Sequence, residues 1–566
     1  MSRRISRDGA APGARDLSEK GPFTRFAAAP LLAVMLGLSA TLAACQGCKG
    51  PMSPNGEVDG AQDVSIRLYA VSAAAGALEP CGCSKDQLGG VDKLAAFIDA
   101  EKKAHPNAWM VAAGPLFFLD PALRDDDKQQ TLWKAEAMAQ AAKAMNLLGW
   151  APGFNDWAGG ADTLAKLREA TGGALLGANL ENVPGAVPTV IREVNGLKIG
   201  FFGLSDPKDK VGRTPDSVQS KPAMEAARSA VADLRSKGAR VLVGIASLPR
   251  GEALRIADTL PEISVLILGK PSEAGDTNDQ PKPPVLLGTT LVVETSNHLQ
   301  TVGVIDLHIS GADKGPQPVV LKDAGGVAKA EELMSLAARI RDLEVKINAW
   351  SGDPNVKPAD LAARKADLEK ARADKAKLEG AESKVEGSSF NYKLVEVREA
   401  LGSEKQVKDA MVSYYKRVNE HNKVAFADRK PKAVEKGQAS YIGVDACTDC
   451  HDEERKVWDG TPHAKAYATL QKDFKEFNLD CTSCHVTGYD KPGGSTISHT
   501  EKLQDVQCEV CHGPGSLHLK DPNKKGLIIL KPADGFCAST CHHPPHVEGF
   551  NQEEKMKLIL GKGHGM

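Results

Sequence analysis

The chain has 566 residues, a net charge of −2 and a charged fraction of 25%; it is long enough for several domains and lacks the basic excess of a general nucleic-acid binder. Aromatic residues make up 5%, too few for a surface devoted to stacking bases or sugars. After the N-terminal run, no stretch is long and apolar enough to span a bilayer.

Residues 1–63 read as an address and a tether. Arg25 precedes the apolar run "FAAAPLLAVMLGLSATLAAC", the pattern of an export signal. The run closes on "LAAC", residues 42–45, which resembles the bacterial lipoprotein box. That resemblance implies cleavage before Cys45, a diacylglycerol on its sulfur and a periplasm-facing membrane lipoprotein of the inner or outer membrane. Several acyl chains anchor stably where one is marginal. An ordinary signal peptide with an incidental cysteine is the alternative. Residues 1–44 are therefore expected to be the signal peptide, and 45–63, rich in Gly, Pro and polar groups, a flexible tether.

In residues 64–325 strand-like runs alternate with helical ones. "VSIRLYAV", "AWMVAAG", "GALLGANL", "LKIGFFGLS", "RVLVGIAS", "VLILG", "LVVETS" and "VGVIDLHI" predict strands, and 90–103 and 132–148 predict helices. The expected fold is α/β with a buried parallel or mixed sheet. The order of "GGVDKLAAFIDAEKK", "VAAGPLFF", "AMNLLGW", "GANLENV" and "VNGLKIGFFGLS" resembles the metallophosphatase domain of the 5′-nucleotidase family. That resemblance implies an α/β layered sandwich with two metal ions held by Asp, Asn and His at strand ends. Here those positions are emptied. "VSAAAG" stands for an Asp-x-His, Pro115 for a bridging Asp, "GFNDW" for an Asn-His pair, and "IASLPRG" and "LGKPSEAG" for later His sites. Asn155 and Asp156 by themselves cannot build a dinuclear cage, so a scaffold without phosphoesterase activity is expected. "LEPCGCSKDQLGG" places Cys81 and Cys83 in a Gly-rich loop. A local disulfide, a bridge from one of them to Cys48, and a thiolate metal or redox site all fit that loop.

A spacer follows. Leu333, Leu336, Ile340, Leu343, Ile347 and Trp350 recur at three- and four-residue steps, a coiled-coil seam. "SGDPNVKP" breaks that helix, and Leu361, Leu368, Ala371 and Leu378 continue on a second. Residues 326–385 are expected to fold as a self-closed helical hairpin, with dimerisation as the alternative. Residues 386–436 are expected to be a helical linker, in which "SSFNYKLVEV" precedes a helix over 404–425.

Eight of the twelve cysteines fall within residues 447–541. Six make "CTDCH" (Cys447, Cys450, His451), "CTSCH" (Cys481, Cys484, His485) and "CEVCH" (Cys508, Cys511, His512). On one helical turn, thiols at i and i+3 share a face with an imidazole at i+4. Covalent haem c needs that set: two thiols for its vinyl groups and an axial nitrogen for its iron. Zinc also uses C-x-x-C pairs but requires no His directly after each. "CASTCH" holds Cys537, Cys541 and His542 with one residue too many. A fourth haem with His542 as proximal ligand is expected, through a small bulge at Ala538, Ser539 and Thr540; a disulfide is the alternative. Residues 437–566 carry few apolar side chains, so haems are expected to replace a hydrophobic core. Ten of the fourteen histidines lie between positions 451 and 564. His463 and His518 lead as distal ligands, and His499, His543, His546 and His564 are further candidates.

"ASYIGVDACTDCHDEERKVWDGTPHAKAYATL" and "LQDVQCEVCHGPGSLH", with Trp458 and His463 as markers, resemble the multihaem cytochrome c-554 family over residues 438–548. The resemblance implies close haem packing, mostly bis-His ligation and electron transfer, in some members with a five-coordinate iron. It puts His463 and His518 in distal positions. The leading expectation is a lipid-anchored multihaem electron carrier serving redox partner proteins, with no nucleic-acid partner. A multihaem redox enzyme acting on a small nitrogen or oxygen species is the second class. A haem-containing, ligand-binding regulator is the third.

Overall fold

The computed structural model describes residues 63–80, 87–209, 212–215, 218–273, 277–313, 315–351, 356–380, 385–543, 547, 550–561 and 564. The expected signal peptide, the lipidation position Cys45, Cys48, the Cys81 and Cys83 loop positions and His546 lie outside the described residues.

Two sheets stack face to face, with helices on both outer sides. The first runs Lys322–Asp323, Ser389–Glu396, Thr301–Ile309, Val64–Ser72, Ala108–Ala113, Leu147–Ala151, Ala174–Leu176, Ala186–Val187 from edge to edge. The second runs Lys282–Leu287, Thr290–Glu294, Val265–Gly269, Val241–Ser247, Leu197–Ser205, Thr189–Val194. The second sheet is parallel inside with antiparallel outer pairs, whereas the first is antiparallel where Thr301–Ile309 meets Ser389–Glu396 and Val64–Ser72 and parallel elsewhere, so both sheets are mixed, as expected. The strand alternation places each side chain. Ile66, Leu68 and Ala70 enter the core between the sheets, with Phe201, Val243 and Ile267. Tyr69 and Val71, on the opposite face, join Leu94, Met138 and Trp133 of the outer helices. A strand covered on both faces reads as a near-continuous apolar run, and "VSIRLYAV" does.

Two expectations need correction. The helix expected over 132–148 is Lys128–Ala144, and Leu147–Ala151 is a fully buried strand. Asn146 separates them at φ 57°, a left-handed conformation that asparagine tolerates at helix ends. The second correction concerns residues 386–436. Ser389–Glu396 pairs antiparallel with Thr301–Ile309 inside the first sheet, because Phe390 and Tyr392 alternate inward. The helix Lys405–Ala425 also belongs to the α/β domain: Val407, Met411, Tyr414, Tyr415 and Val418 enter its outer core.

The helices Gly326–Trp350 and Pro358–Glu379 lie between two neighbouring strands in sequence and pack through Ile340, Leu343, Ile347, Leu368 and Ala371. Gly326 is required where this hairpin leaves the sheet, since a Cβ there would sit 2.3 Å from the Tyr392 nitrogen. Among the described residues no helix is long and apolar enough to cross a membrane.

Beyond residue 437 the chain forms short helical turns joined by loops. Its buried apolar side chains are few, among them Val444, Tyr467, Leu470, Val486, Ile497 and Leu503. Polar side chains tie the loops instead. Glu509, 2% exposed, accepts from the backbone nitrogens of Ile442 (3.0 Å), Gly443 (2.8 Å) and Gly515 (2.7 Å). Gln507 accepts from Val444 N (2.8 Å), and Asp505 from Tyr467 N (2.8 Å). The segment leading to the first Cys-Cys-His motif is thereby pinned to the third.

Candidate functional site

Asn155 and Asp156, the polar residues left where the sequence resemblance leads one to expect metal ligands, face the backbone. Asp156 accepts from Leu116 N (2.9 Å), Phe117 N (3.0 Å) and Gly153 N (3.2 Å). Burial nevertheless pushes its carboxyl up to about 7, outweighing those three donors. Asn155 Nδ2 donates to Leu119 O (2.5 Å), and its Oδ1 accepts from Glu273 N (3.1 Å). Among the described residues no His, Cys, Asp and Glu cluster is arranged to hold a bare metal ion.

The Cys-Cys-His motifs sit on single helical turns: Asp445–Thr448, Thr482–His485, Cys508–His512 and Phe536–Thr540 carry or abut them. In the first motif His451 N donates to Cys447 O (3.0 Å), the ordinary i+4 bond. The fourth differs in an informative way. Cys541 N (3.1 Å) and His542 N (2.9 Å) both donate to Cys537 O. The extra residue is absorbed in an i+5 turn, a local bulge of the π type, and both cysteines stay on one loop of helix. The eight described cysteines are free of disulfides, including Cys537 and Cys541.

The imidazoles are arranged in pairs. Ring centres lie 6.4 Å apart for His451 and His518, 6.2 Å for His463 and His542, and 6.5 Å for His512 and His564. A metal–nitrogen bond of about 2.0 Å and roughly 1.1 Å from nitrogen to ring centre put two imidazoles on opposite sides of one metal about 6.2 Å apart. All three pairs match that separation. His485 Nδ1 lies 2.6 Å from Ala466 O, and His512 Nδ1 lies 2.6 Å from Ile529 O. A carbonyl only accepts, so Nδ1 carries the proton and Nε2 keeps a lone pair for a metal. His542 stacks on Phe550, with ring centres 4.2 Å apart. Burial, then the nearby His542, holds His463 below its usual range, leaving it a neutral donor.

The sulfurs place the motifs in an order. Cys447 lies near Cys508 and Cys511 near Cys537, and Cys484 Sγ lies 3.9 Å from Thr540 O, next to Cys541. First, third, fourth and second motifs thus follow one another in space. Residues 446–513 match the family described as cytochrome c554 and c-prime. The C-terminal region resembles cytochrome c-554. The curated cytochrome c-554 of Nitrosomonas europaea is 35% identical over 110 residues, covering 16% of this chain and 46% of its own length. This chain therefore spans less than half of that relative. Solved structures similar to the N-terminal part have other names. A 5′-nucleotidase precursor of Thermus thermophilus is 14% identical with a TM-score of 0.41, over 72% of this chain and 68% of its own. A calcineurin-like phosphoesterase of Bacillus subtilis is 19% identical with a TM-score of 0.36, over 45% and 88%. The NAD nucleotidase of Haemophilus influenzae is 17% identical with a TM-score of 0.36, over 44% and 54%.

The cytochrome family implies covalently bound haem c, and the residues present fit it. Two thiols and an imidazole share each turn, and among the described residues His451, His512 and His542 each face a second imidazole at iron-bridging separation. Sequence order hid the partners. His463 lies opposite His542, 79 positions later by residue number, whereas His543 is its neighbour in sequence. His564, one of several candidates by sequence, is the ring opposite His512. His499 instead lies 3.4 Å from Thr496 Oγ1.

Proposed function

We propose that this chain is a lipid-anchored, periplasm-facing multihaem c-type cytochrome that passes electrons between redox partner proteins, with its α/β domain a non-catalytic scaffold. The observation that carries the reading is the set of three histidine pairs at 6.2–6.5 Å beside Cys-Cys-His motifs. Four haems are attached, at Cys447 and Cys450, Cys481 and Cys484, Cys508 and Cys511, and Cys537 and Cys541. His451, His485, His512 and His542 are their proximal ligands. His518, His564 and His463 are distal to His451, His512 and His542 respectively.

Haem supplies an iron that cycles by one electron, and two imidazoles close its coordination and favour transfer over substrate binding. The residues of this chain supply the rest. The thiols fix each group to its turn, and the carbonyls of Ala466 and Ile529 orient His485 and His512. The scaffold assignment is supported by Asn155 and Asp156, whose polar atoms are engaged with backbone groups. The anchor is supported by "LAAC" ahead of Cys45.

A mediated redox titration of the holoprotein tests the reading. We expect stepwise one-electron reduction with mainly low-spin spectra, and no metal-dependent hydrolysis of nucleotides or phosphodiesters by the same preparation. Hydrolysis restored by manganese and removed by chelator would overturn the scaffold. A single haem, or none, would overturn the carrier.

A further inference from the structure

The α/β domain and the cytochrome region meet along a buried seam. Residues 475–482 contact both the Lys128–Ala144 and the Lys405–Ala425 helices. Gln130 Nε2 donates to Asn478 Oδ1 (3.0 Å), and Leu479 N donates to Gln130 Oε1 (3.1 Å). Asn422 Nδ2 donates to Gln130 Oε1 (3.1 Å) and to Phe477 O (2.8 Å). Gln130, Asn422 and Asn478 are each 2% exposed, so these amides satisfy one another away from water.

Beside them lies an ion pair. Lys475 Nζ bonds to Glu79 Oε1, and their side chains are 16% and 19% exposed. The Lys475 ammonium also sits 4.5 Å above the Tyr415 ring, and Tyr415 lies beside Glu79. Lys408 Nζ stands 3.8 Å from Glu79 Oε2. Burial pushes the Glu79 carboxyl up, but Lys475, Tyr415 and Lys408 together hold it below its usual range. Both members of the pair are therefore charged.

The seam ends at a haem motif. Cys481 N donates to Asn478 O (3.0 Å), and Thr482 Oγ1 donates to the same carbonyl (2.8 Å). Asp480, then Lys475, Glu79 and Lys134, are the charges that act on the half-buried Cys481 thiol. The second motif is also one end of the order first, third, fourth, second. Resting on the reading that haem is attached at Cys481 and Cys484, we propose that the α/β domain tunes the reduction potential of that haem by supplying Glu79 to neutralise the Lys475 charge beside it.

The physical reason is charge. Ferric haem carries one positive charge more than ferrous haem, so a nearby anion favours the oxidised form and a nearby cation the reduced form. In a poorly hydrated seam each charge alone is weakly screened, whereas the intact pair largely cancels. Removing one partner therefore exposes the other. A pair that only clamps the domains behaves differently: losing either partner loosens the same seam and shifts the haem the same way.

Spectroelectrochemical titration of the holoprotein separates these cases, with haem on the Cys481–Cys484 peptide verified by mass spectrometry. We expect Glu79→Gln to raise the midpoint potential of one haem and Lys475→Gln to lower that of the same haem. The Glu79→Gln/Lys475→Gln double variant, with no charge stranded in the seam, is expected between them and near the parent. Shifts of one sign in both single variants, or unmoved potentials in protein that carries the haem, overturn the proposal alone. A Cys481–Cys484 peptide without haem overturns the attachment reading beneath it and the proposal with it.

Discussion

Replacing His463 by Ala is expected to convert one low-spin haem to high-spin while the covalent haem content stays constant. The His463 ring centre lies 6.2 Å from that of His542, so on the proposed ligation the substitution would remove one of two axial nitrogens and leave the thiols untouched. His518→Ala and His564→Ala should do the same at the haems of His451 and His512, whose ring centres lie 6.4 and 6.5 Å away. Each variant is expected to gain the charge-transfer band of one high-spin iron and to bind carbon monoxide at that haem when reduced. The effect is all-or-none for the iron concerned, because an axial imidazole is present or absent. A variant whose spectrum stays wholly low-spin returns its histidine to an ordinary surface role.

The Glu509→Ala substitution is expected to destabilise the cytochrome region by about 3 kcal/mol or more, since each buried donor left unsatisfied costs roughly 1–3 kcal/mol. Glu509 accepts from three backbone nitrogens, those of Ile442, Gly443 and Gly515. These loops have little apolar burial to compensate, and the same contacts hold the approach to Cys447 against the turn of Cys508. Glu509→Gln, which keeps an oxygen acceptor but turns a donor toward some of the same N–H groups, should lose less. Denaturant unfolding followed in the Soret band measures both. A Glu509→Ala midpoint indistinguishable from the parent would show that the pinning of the first motif to the third comes from elsewhere.

The parts of this molecule legible in its sequence are those whose signal is local. "VSIRLYAV" and "LKIGFFGLS" announce buried strands because both faces are covered, and the three C-x-x-C-H turns announce themselves by spacing. The Ser389–Glu396 strand was readable too, from Phe390 and Tyr392 in alternation, but the helical hairpin before it disguised its partner, Thr301–Ile309. The end of the Lys128–Ala144 helix hinged on one residue, Asn146 at φ 57°, which the apolar run "MNLLGW" masks. Pairing across long sequence separations was the least legible. No local pattern links His463 to His542 or His512 to His564, and none shows that Gln130 and Asn422 would close over Asn478. Those contacts depend on how the short turns pack together. The sequence does carry the means of the fourth motif's departure, since Ala538, Ser539 and Thr540 are small enough for the i+5 turn that the structure forms.

The number of haems tests the account most directly. Intact mass of the denatured holoprotein, where only thioether-bound groups remain, should show four haem additions, with peptide mapping placing one on Cys537 and Cys541. Three additions, with Cys537 and Cys541 joined in a disulfide, would contradict it.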